Sequence, residues 1–353
     1  MIQTLLALAA AAQSPAHAHP LPLTPEPGTV RLFGDWAVGC DNGWACEAIS
    51  LPTEDWEIGN GYSITVRRAG GADGYHRIGI RAFEDEAPST MTLLVDGEFA
   101  GTATRNEGDE LYHFDPASAQ RLAGLMARGG EAELRDPDGG MIESISLDGS
   151  YAAILFIEDR QQRAGTVTAS AAVGDQPASL VPEPPSVTTI RAMPIADRSG
   201  DTAMALPADQ AMRLHEAREC DGFDEELRRN EAMVLSDARD LILISCSRGA
   251  YNFSDVAYVR DADGAVTPAQ FDRAFSWGEN REIPLLVNVY WNADANELST
   301  YAKGRGIGDC GTAERFVWDG AMFRLVERRE MNSCRGSPHW ITVYRANVEW
   351  VEP

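Results

Sequence analysis

The sequence predicts an α+β chain: two β-rich domains with short helices, joined by a Pro/Ala-rich linker and closed by three disulfides. Three observations predict it. An even set of six cysteines follows an export-type leader, which reads as paired thiols in an oxidising compartment. Short strand-like runs recur, several closed by Asn-Gly or Asp-Gly, which is hairpin turn chemistry. Between 168 and 190 the pattern gives way to small residues, valines and four prolines, which is linker composition. A length of 353 residues suits two domains, and a 44% apolar fraction suits ordinary cores.

The leader occupies residues 1–18. Ile2 to Ala12 is an apolar run, Gln13-Ser14-Pro15 breaks it, and Ala16-His17-Ala18 is an A-x-A cleavage signature. The run is shorter than the roughly 20 apolar residues that cross a bilayer. The expectation is a cleaved signal peptide, no transmembrane anchor afterwards, and a periplasmic or secreted protein of a Gram-negative bacterium.

The first domain is expected over 30–167. It opens on a hairpin in which Trp36-Ala37-Val38 and Glu47-Ala48-Ile49 flank Asn42-Gly43. An odd loop of five residues places Cys40 directly opposite Cys46, within disulfide reach. A two-residue Asn-Gly turn would offset them, so a longer loop or a bulge is expected. Strands follow at Tyr62–Arg67, His76–Ala82, Thr90–Val95 and near Met141–Leu147. A helix is expected over Pro116–Arg128, with Asp115 as N-cap, Pro116 at N1 and Gly129-Gly130 as the stop. Asp148 or Ser150 should cap a second helix through Glu158 that buries Ile154, Leu155 and Ile157, with Arg160 to Arg163 as its polar end.

The linker is 168–190, extended and stiff at Val181–Pro185. The second domain is expected over 191–353. A helix near Pro207–Cys220 carries His215, expected at the surface or its boundary. A buried strand lies at Leu241–Cys246, Thr267-Pro268 should cap a brief helix around Phe271, and Pro284–Trp291 reads as a strand. Phe316–Trp318, Asp319-Gly320 and Met322–Arg329 read as a hairpin with a type I′ turn, clamped from outside by Cys310 and Cys334. Ile341–Ala346 is the last strand.

Six cysteines allow fifteen connectivities, and sequence alone does not choose among them. Nearest-neighbour pairing is expected: Cys40 with Cys46, Cys220 with Cys246, Cys310 with Cys334. A zinc clip wants four Cys or His ligands in tighter spacing, and the chain has no CxxC, so neither zinc nor a thioredoxin-like redox pair is expected.

The formal net charge is −24. Such a field disfavours nucleic acid, whose phosphates need a basic face, and favours cationic partners. The blander reading is that acidity only maintains solubility.

Three segments occur together in order: FGDWAVGCDNGWACEA from Phe33, SLDGSYAAILFIEDRQQRAGT from Ser146, and GRGIGDCG, FVWDG, FRL and MNSCRG near the end. Together they resemble the bacterial exported family called domain of unknown function 1176, noted for six cysteines. The first domain also distantly resembles invasion-associated locus B proteins, exported and β-rich, through Trp36, Cys40 and Gln162-Arg163. Neither resemblance implies an activity; the second implies a loose link to envelope or host contact.

Candidate chemistry is sparse. Lys303-Gly304-Arg305-Gly306-Ile307-Gly308-Asp309-Cys310-Gly311 puts glycines and two cations together, which fits a backbone nest for a carboxylate or phosphate or, more simply, a tight loop beside a disulfide. Asp136/Asp138, Asp261/Asp263 and Asp294/Asn296 have D-x-D/N spacing, but Asp-Gly turns explain the first two pairs without calcium. His76, His113, His215 and His339 sit in no hydrolase motif, and G-x-S-x-G is absent. Trp36 and Trp318 are expected in cores, whereas Trp44, in the first hairpin loop, is the best exposed candidate. Lys303, Arg305, Asp309 and Trp44 are therefore the ligand-binding candidates; no metal and no cofactor are expected. The function expected is a non-catalytic envelope binding protein whose acidic surface takes a basic protein or peptide. The alternatives are an envelope hydrolase with a site near Arg305 and Asp309, and a structural envelope component.

Overall fold

The computed structural model describes residues 25–52, 61–83, 87–106, 109, 111–195, 203–218, 220, 229–272 and 284–351; the leader expected over 1–18 lies outside them. The chain is α+β and strand-rich, with few short helices.

Ten strands form one antiparallel sheet in the order Arg31–Phe33, Trp36–Cys40, Cys46–Ser50, Tyr62–Arg68, His76–Ala82, Leu111–His113, Glu98–Thr104, Thr90–Val95, Glu131–Arg135, Met141–Ser146. The sheet curls until its ends meet: Trp36 Nε1 donates to Ser146 O at 3.1 Å, and Asp35 N to Asp148 O at 2.9 Å. Its inner face packs on helices Ala119–Arg128 and Ser150–Arg160 through Leu122, Met126, Ile154 and Ile157. Asp115 accepts from Ala117 N, as an N-cap should, but opens a 3-10 turn at Pro116–Ser118 before the α-helix begins.

The second helix differs from expectation at both ends. No side chain caps its start; Gly149 stands there at φ 90°, and Ser150 Oγ donates instead to Met126 O. A Cβ on Gly149 would lie 1.8 Å from Phe33 O, so only glycine lets the sheet edge approach. Leu155 is half-buried rather than buried. The expected polar end, Arg160 to Arg163, is exposed at Arg160 and Gln162 but turns Gln161 and Arg163 inward, where both are fully buried.

The C-terminal part holds two sheets of five strands. Asn230–Ser236, Arg239–Arg248, Phe253–Asp261 and Val266–Pro268 follow in sequence, with Leu286–Val287 also paired to Phe253–Asp261. The other sheet runs Tyr290–Asn292, Glu297–Lys303, Gly311–Trp318, Phe323–Met331, Ile341–Arg345. Asn288, at φ 46°, breaks the strand expected over Pro284–Trp291 and passes the chain from one sheet to the other. The sheets share a core in which Phe271 stacks on Phe323 at 5.0 Å between centroids. Phe271 is thus a core residue beside strand Val266–Pro268, not the middle of a helix. The hairpin turn after Trp318 is also longer than expected. Trp318 pairs with Phe323, so four residues form the loop, tied by Asp319 Oδ1 to Ala321 N and Met322 N. Helix Ala208–Glu216 lies on the far face of the first of these sheets, and His215, expected near the surface, is buried with Nδ1 2.9 Å from Ser245 O.

The two parts meet along the outer face of the first strands. Ala37, Ile49 and Leu51 pack against Met331, Trp340, Ile341 and Val343. That is why every residue of Trp36–Cys40 is buried: helices cover one face and the last C-terminal sheet the other. Gly28 N donates to Val343 O, Asn332 Nδ2 to Val30 O, and Arg335 reaches Asp35 and Pro52 O. A parallel pair, Thr189–Ala192 with Asn347–Trp350, closes the chain on itself.

Three disulfides join Cys40–Cys46, Cys220–Cys246 and Cys310–Cys334, leaving no free thiol. Cys40 and Cys46 stand opposite each other in register. Their five-residue loop is tied by Asp41, whose Oδ1 accepts from Gly43 N and Ala45 N.

Candidate functional site

The strand register builds the site. Glu47 faces Arg67 and Arg67 faces Arg77 across three adjacent strands, all on the outer face of the ten-stranded sheet. The C-terminal sheet covers this face over the first strands and stops before the third of these residues. A cleft of about 340 Å³ remains, lined among others by Glu47, Arg67, Tyr75, Arg77 and Thr342. Arg67 Nε donates to Glu47 Oε1 at 2.7 Å, and His339 Nε2 lies 2.9 Å from the same oxygen. Burial pushes the Glu47 carboxyl up, but the His339 bond and the electrostatic influence of His339 and Arg67 outweigh it and leave it below its usual range. Arg77 Nη2 donates to Tyr75 OH at 2.6 Å, and its guanidinium lies 5.2 Å from the Tyr75 ring centroid. At the cleft's end Arg345 pairs with buried Asp41 at 2.5 Å.

The residues next in line point to the opposite face. Cys46, Arg68 and His76 face one another in register on the inner side. Arg68 donates to Gly74 O, to Thr168 O and to His76 Nε2. Arg163 donates to Gly71 O and Thr168 Oγ1. Both guanidiniums are buried and bond neutral acceptors. The carboxylate beside them, Glu158, accepts from the amides of Ser170, Ala171 and Ala172. Burial, then the charge of Arg163, lowers Arg68 to about 9. Burial and the charges of Arg68 and Arg163 drive His76 down to about 3. A guanidinium only donates, so His76 Nε2 is the acceptor and its proton sits on Nδ1. This network fastens the segment expected as a linker to the sheet. Further along, Pro184 lies against Gly70, and Val187 against Gly43.

The sequence-predicted candidates divide. Arg305 and Asp309 do meet, through two guanidinium bonds, and Gly336 N donates to Asp309 Oδ2 at 2.6 Å. Asp309 is buried, and burial's upward push is overcome by these bonds, so its carboxyl lies below the usual range. The pair clamps the loop beside Cys310–Cys334. The loop's backbone bonds inward: Gly304 N to Cys310 O, Gly308 N to Arg305 O, and Tyr301 OH to Gly308 O. Lys303 sits at a strand end with Nζ 5.9 Å from the Tyr301 ring. Trp44 is half-buried against Gly70, with φ 58°, and its carbonyl accepts from Gln161. These four do not form one site with the cleft. Asp136 and Asp263 tie turns through Asp138 N, Gly140 N and Ala265 N, and Asn296 holds Ile195 N.

Ser337 lies near the His339–Glu47 pair. Its Oγ bonds the His339 backbone at 3.3 Å rather than the ring, so no Ser–His–carboxylate relay is assembled. Arg67, Tyr75, Arg77 and His339 had no motif to mark them in the sequence. The available signal was arginines in two consecutive strand runs, Arg67 in the first and Arg77 and Arg81 in the second, but which of them face each other depends on a turn at 69–75 whose length no pattern fixes.

A profile of the family described as Protein of unknown function (DUF1176) matches residues 30–347. The chain belongs to that family. The DUF1176 chain is similar to Uncharacterized protein YpfG of Escherichia coli (strain K12), at 31% identity over 340 residues, covering 89% of this chain and 92% of that one. Among solved structures it is similar to the crystal structure of invasion associated protein b from Bartonella henselae, with a TM-score of 0.28 and 15% identity, over 38% of this chain and 99% of that one.

Proposed function

We propose that this DUF1176 member is an exported, non-catalytic binding protein of the Gram-negative envelope, whose acidic surface takes a basic protein or peptide. The carrying observation is the far end of the ten-stranded sheet. The last three strands and the hairpin turns they share, with Glu98 of the strand before, bring together Asp96, Glu98, Glu131, Glu133, Asp136, Asp138 and Glu143. The cation within those strands and turns is Arg135, already paired with Glu133 at 2.5 Å. In the C-terminal sheets, by contrast, Arg260 is matched to Asp240, Arg315 to Glu297 and Arg328 to Glu314. Seven carboxylates against one arginine make this end of the sheet acidic. Exposed Phe99 and Met141 on the same end supply apolar contact. Export is supported by the closed set of three disulfides. Among the described residues, no helix is long and apolar enough to cross a membrane.

The hydrolase alternative gains no such support, because Arg305 and Asp309 bond each other and the loop they hold. The test is crosslinking in the native periplasm with wild type and with Glu131→Lys/Glu133→Lys/Asp138→Lys. A basic partner captured by wild type and lost from the variant is expected. Capture that is independent of the charge reversal, or of salt, would overturn the reading.

A further inference from the structure

We propose that the cleft between the ten-stranded sheet and strand Ile341–Arg345 binds a carboxylate between Arg67 and Arg77, with the body of the ligand resting against Tyr75. This goes beyond the acidic surface described above and does not depend on it.

Arg67 and Arg77 are direct cross-strand partners on one face. Like charges directly opposed destabilise a sheet. The carboxylate that could relieve them, Glu47, lies on the far side of Arg67 and is shared with His339. Arg77 is held by the phenol and ring of Tyr75, which carry no countercharge. The row Glu47–Arg67–Arg77 thus has one positive charge more than it balances, and one monoanion seated between the two guanidiniums balances it. Planar guanidiniums match a carboxylate through paired N–H bonds.

On the other face of the same two strands, Arg68 and Arg163 are buried against neutral acceptors, with Glu158 as the carboxylate beside them. That leaves a second surplus positive charge beneath the cleft floor, where low dielectric screens it poorly. A locally positive floor under a positive row, in a chain of net charge −24, is a place where field and surface disagree in sign. The cleft holds about 340 Å³, within the roughly 300–1,000 Å³ of small-ligand sites, and Tyr75 is 54% exposed at its wall. An apolar or sugar-ring body fits against that ring while the carboxylate reaches the arginines.

The test is calorimetry on the full mature protein, with NMR of the arginine Nε–H signals. The probes are N-acetylphenylalanine, N-acetylphenylalaninamide, glucuronate and inorganic phosphate. The acid should bind at least about tenfold more tightly than its amide, a free-energy gap of about 1.4 kcal/mol, and should shift the Arg67 and Arg77 signals. Glucuronate binding more tightly than N-acetylphenylalanine would identify a sugar acid as the body; the reverse order would identify a peptide end. Arg77→Gln, at an exposed position, should weaken the preferred carboxylate at least about tenfold with a melting temperature no lower than wild type, and Arg77→Lys should fall between in binding. Equal binding of acid and amide, an unaffected Arg77→Gln variant, phosphate bound more tightly than both carboxylates, or no carboxylate binding at all would each overturn the proposal.

Discussion

His339 Nε2 lies 2.9 Å from Glu47 Oε1, a bond between residues 292 positions apart that spans the seam between the ten-stranded sheet and the last C-terminal sheet. With Arg67 on the same oxygen, it places a half-buried carboxylate where both parts of the chain depend on it.

Glu47 therefore links stability to acid. Its carboxyl lies below its usual range in the folded state, so folding favours the ionised form. The stabilisation is present above the ordinary carboxylate range and is lost as pH falls through the lowered folded value. Thermal melts from pH 7 to pH 3 should fall more steeply for wild type than for Glu47→Gln. At pH 7 the substitution should cost about 1–3 kcal/mol.

His76 should remain neutral well below the range in which an exposed histidine charges. Its folded value of about 3 lies below its unfolded one, so the folded state binds fewer protons between the two. Stability contributed by His76 is complete at neutral pH and declines as pH falls from the unfolded value towards 3. Imidazole nitrogen shifts should report the Nδ1–H form unchanged down to about pH 4. A titration near pH 6 would contradict the buried Arg68 contact.

Glu158→Gln should release the segment after the second helix. The substitution leaves Arg68 and Arg163 without their nearest countercharge and weakens the hold on three consecutive amides. Breaking a buried charge set by removing one member costs about 3–5 kcal/mol. Limited proteolysis should gain a cut between 164 and 188 in the variant while the C-terminal sheets stay intact.

Asp309→Asn should act as a structural lesion. It removes the charge that Arg305 meets and weakens the acceptor of Gly336 N, a buried donor whose loss costs about 1–3 kcal/mol. A lowered melting temperature is expected, and a variant with wild-type stability would show that the clamp contributes nothing to the fold.

Reduction should expose unequal disulfides. In the loop-entropy model, closing the 6-residue separation of Cys40–Cys46 is worth about 2 kcal/mol. The separations of 26 and 24 for the other two are worth about 3.5 kcal/mol each. Paired alanine substitutions at Cys220/Cys246 or Cys310/Cys334 should lower the melting temperature more than at Cys40/Cys46.

What was legible in the sequence was local. The Cys40–Cys46 hairpin, the Asp115 cap, the turn aspartates and the buried Trp36 and Trp318 follow from periodicity, loop parity and turn chemistry within about ten residues. Errors arose where distant chain intervened. Arg163 and Gln161 read as a polar helix end and are interior, because residues 164–172 fold back and supply the acceptors that let a guanidinium be buried. Trp44 reads as exposed and is half-buried beside Gly70.

The sequence by itself determined an α+β, disulfide-closed and strongly acidic chain of recognisable family, because composition, cysteine parity and side-chain alternation are properties of short stretches. Tertiary structure alone decided that Arg67 faces Arg77, that Glu47 meets His339, and that Arg305 and Asp309 hold each other. Register and docking set those meetings, and both depend on which faces are buried by chain hundreds of residues away.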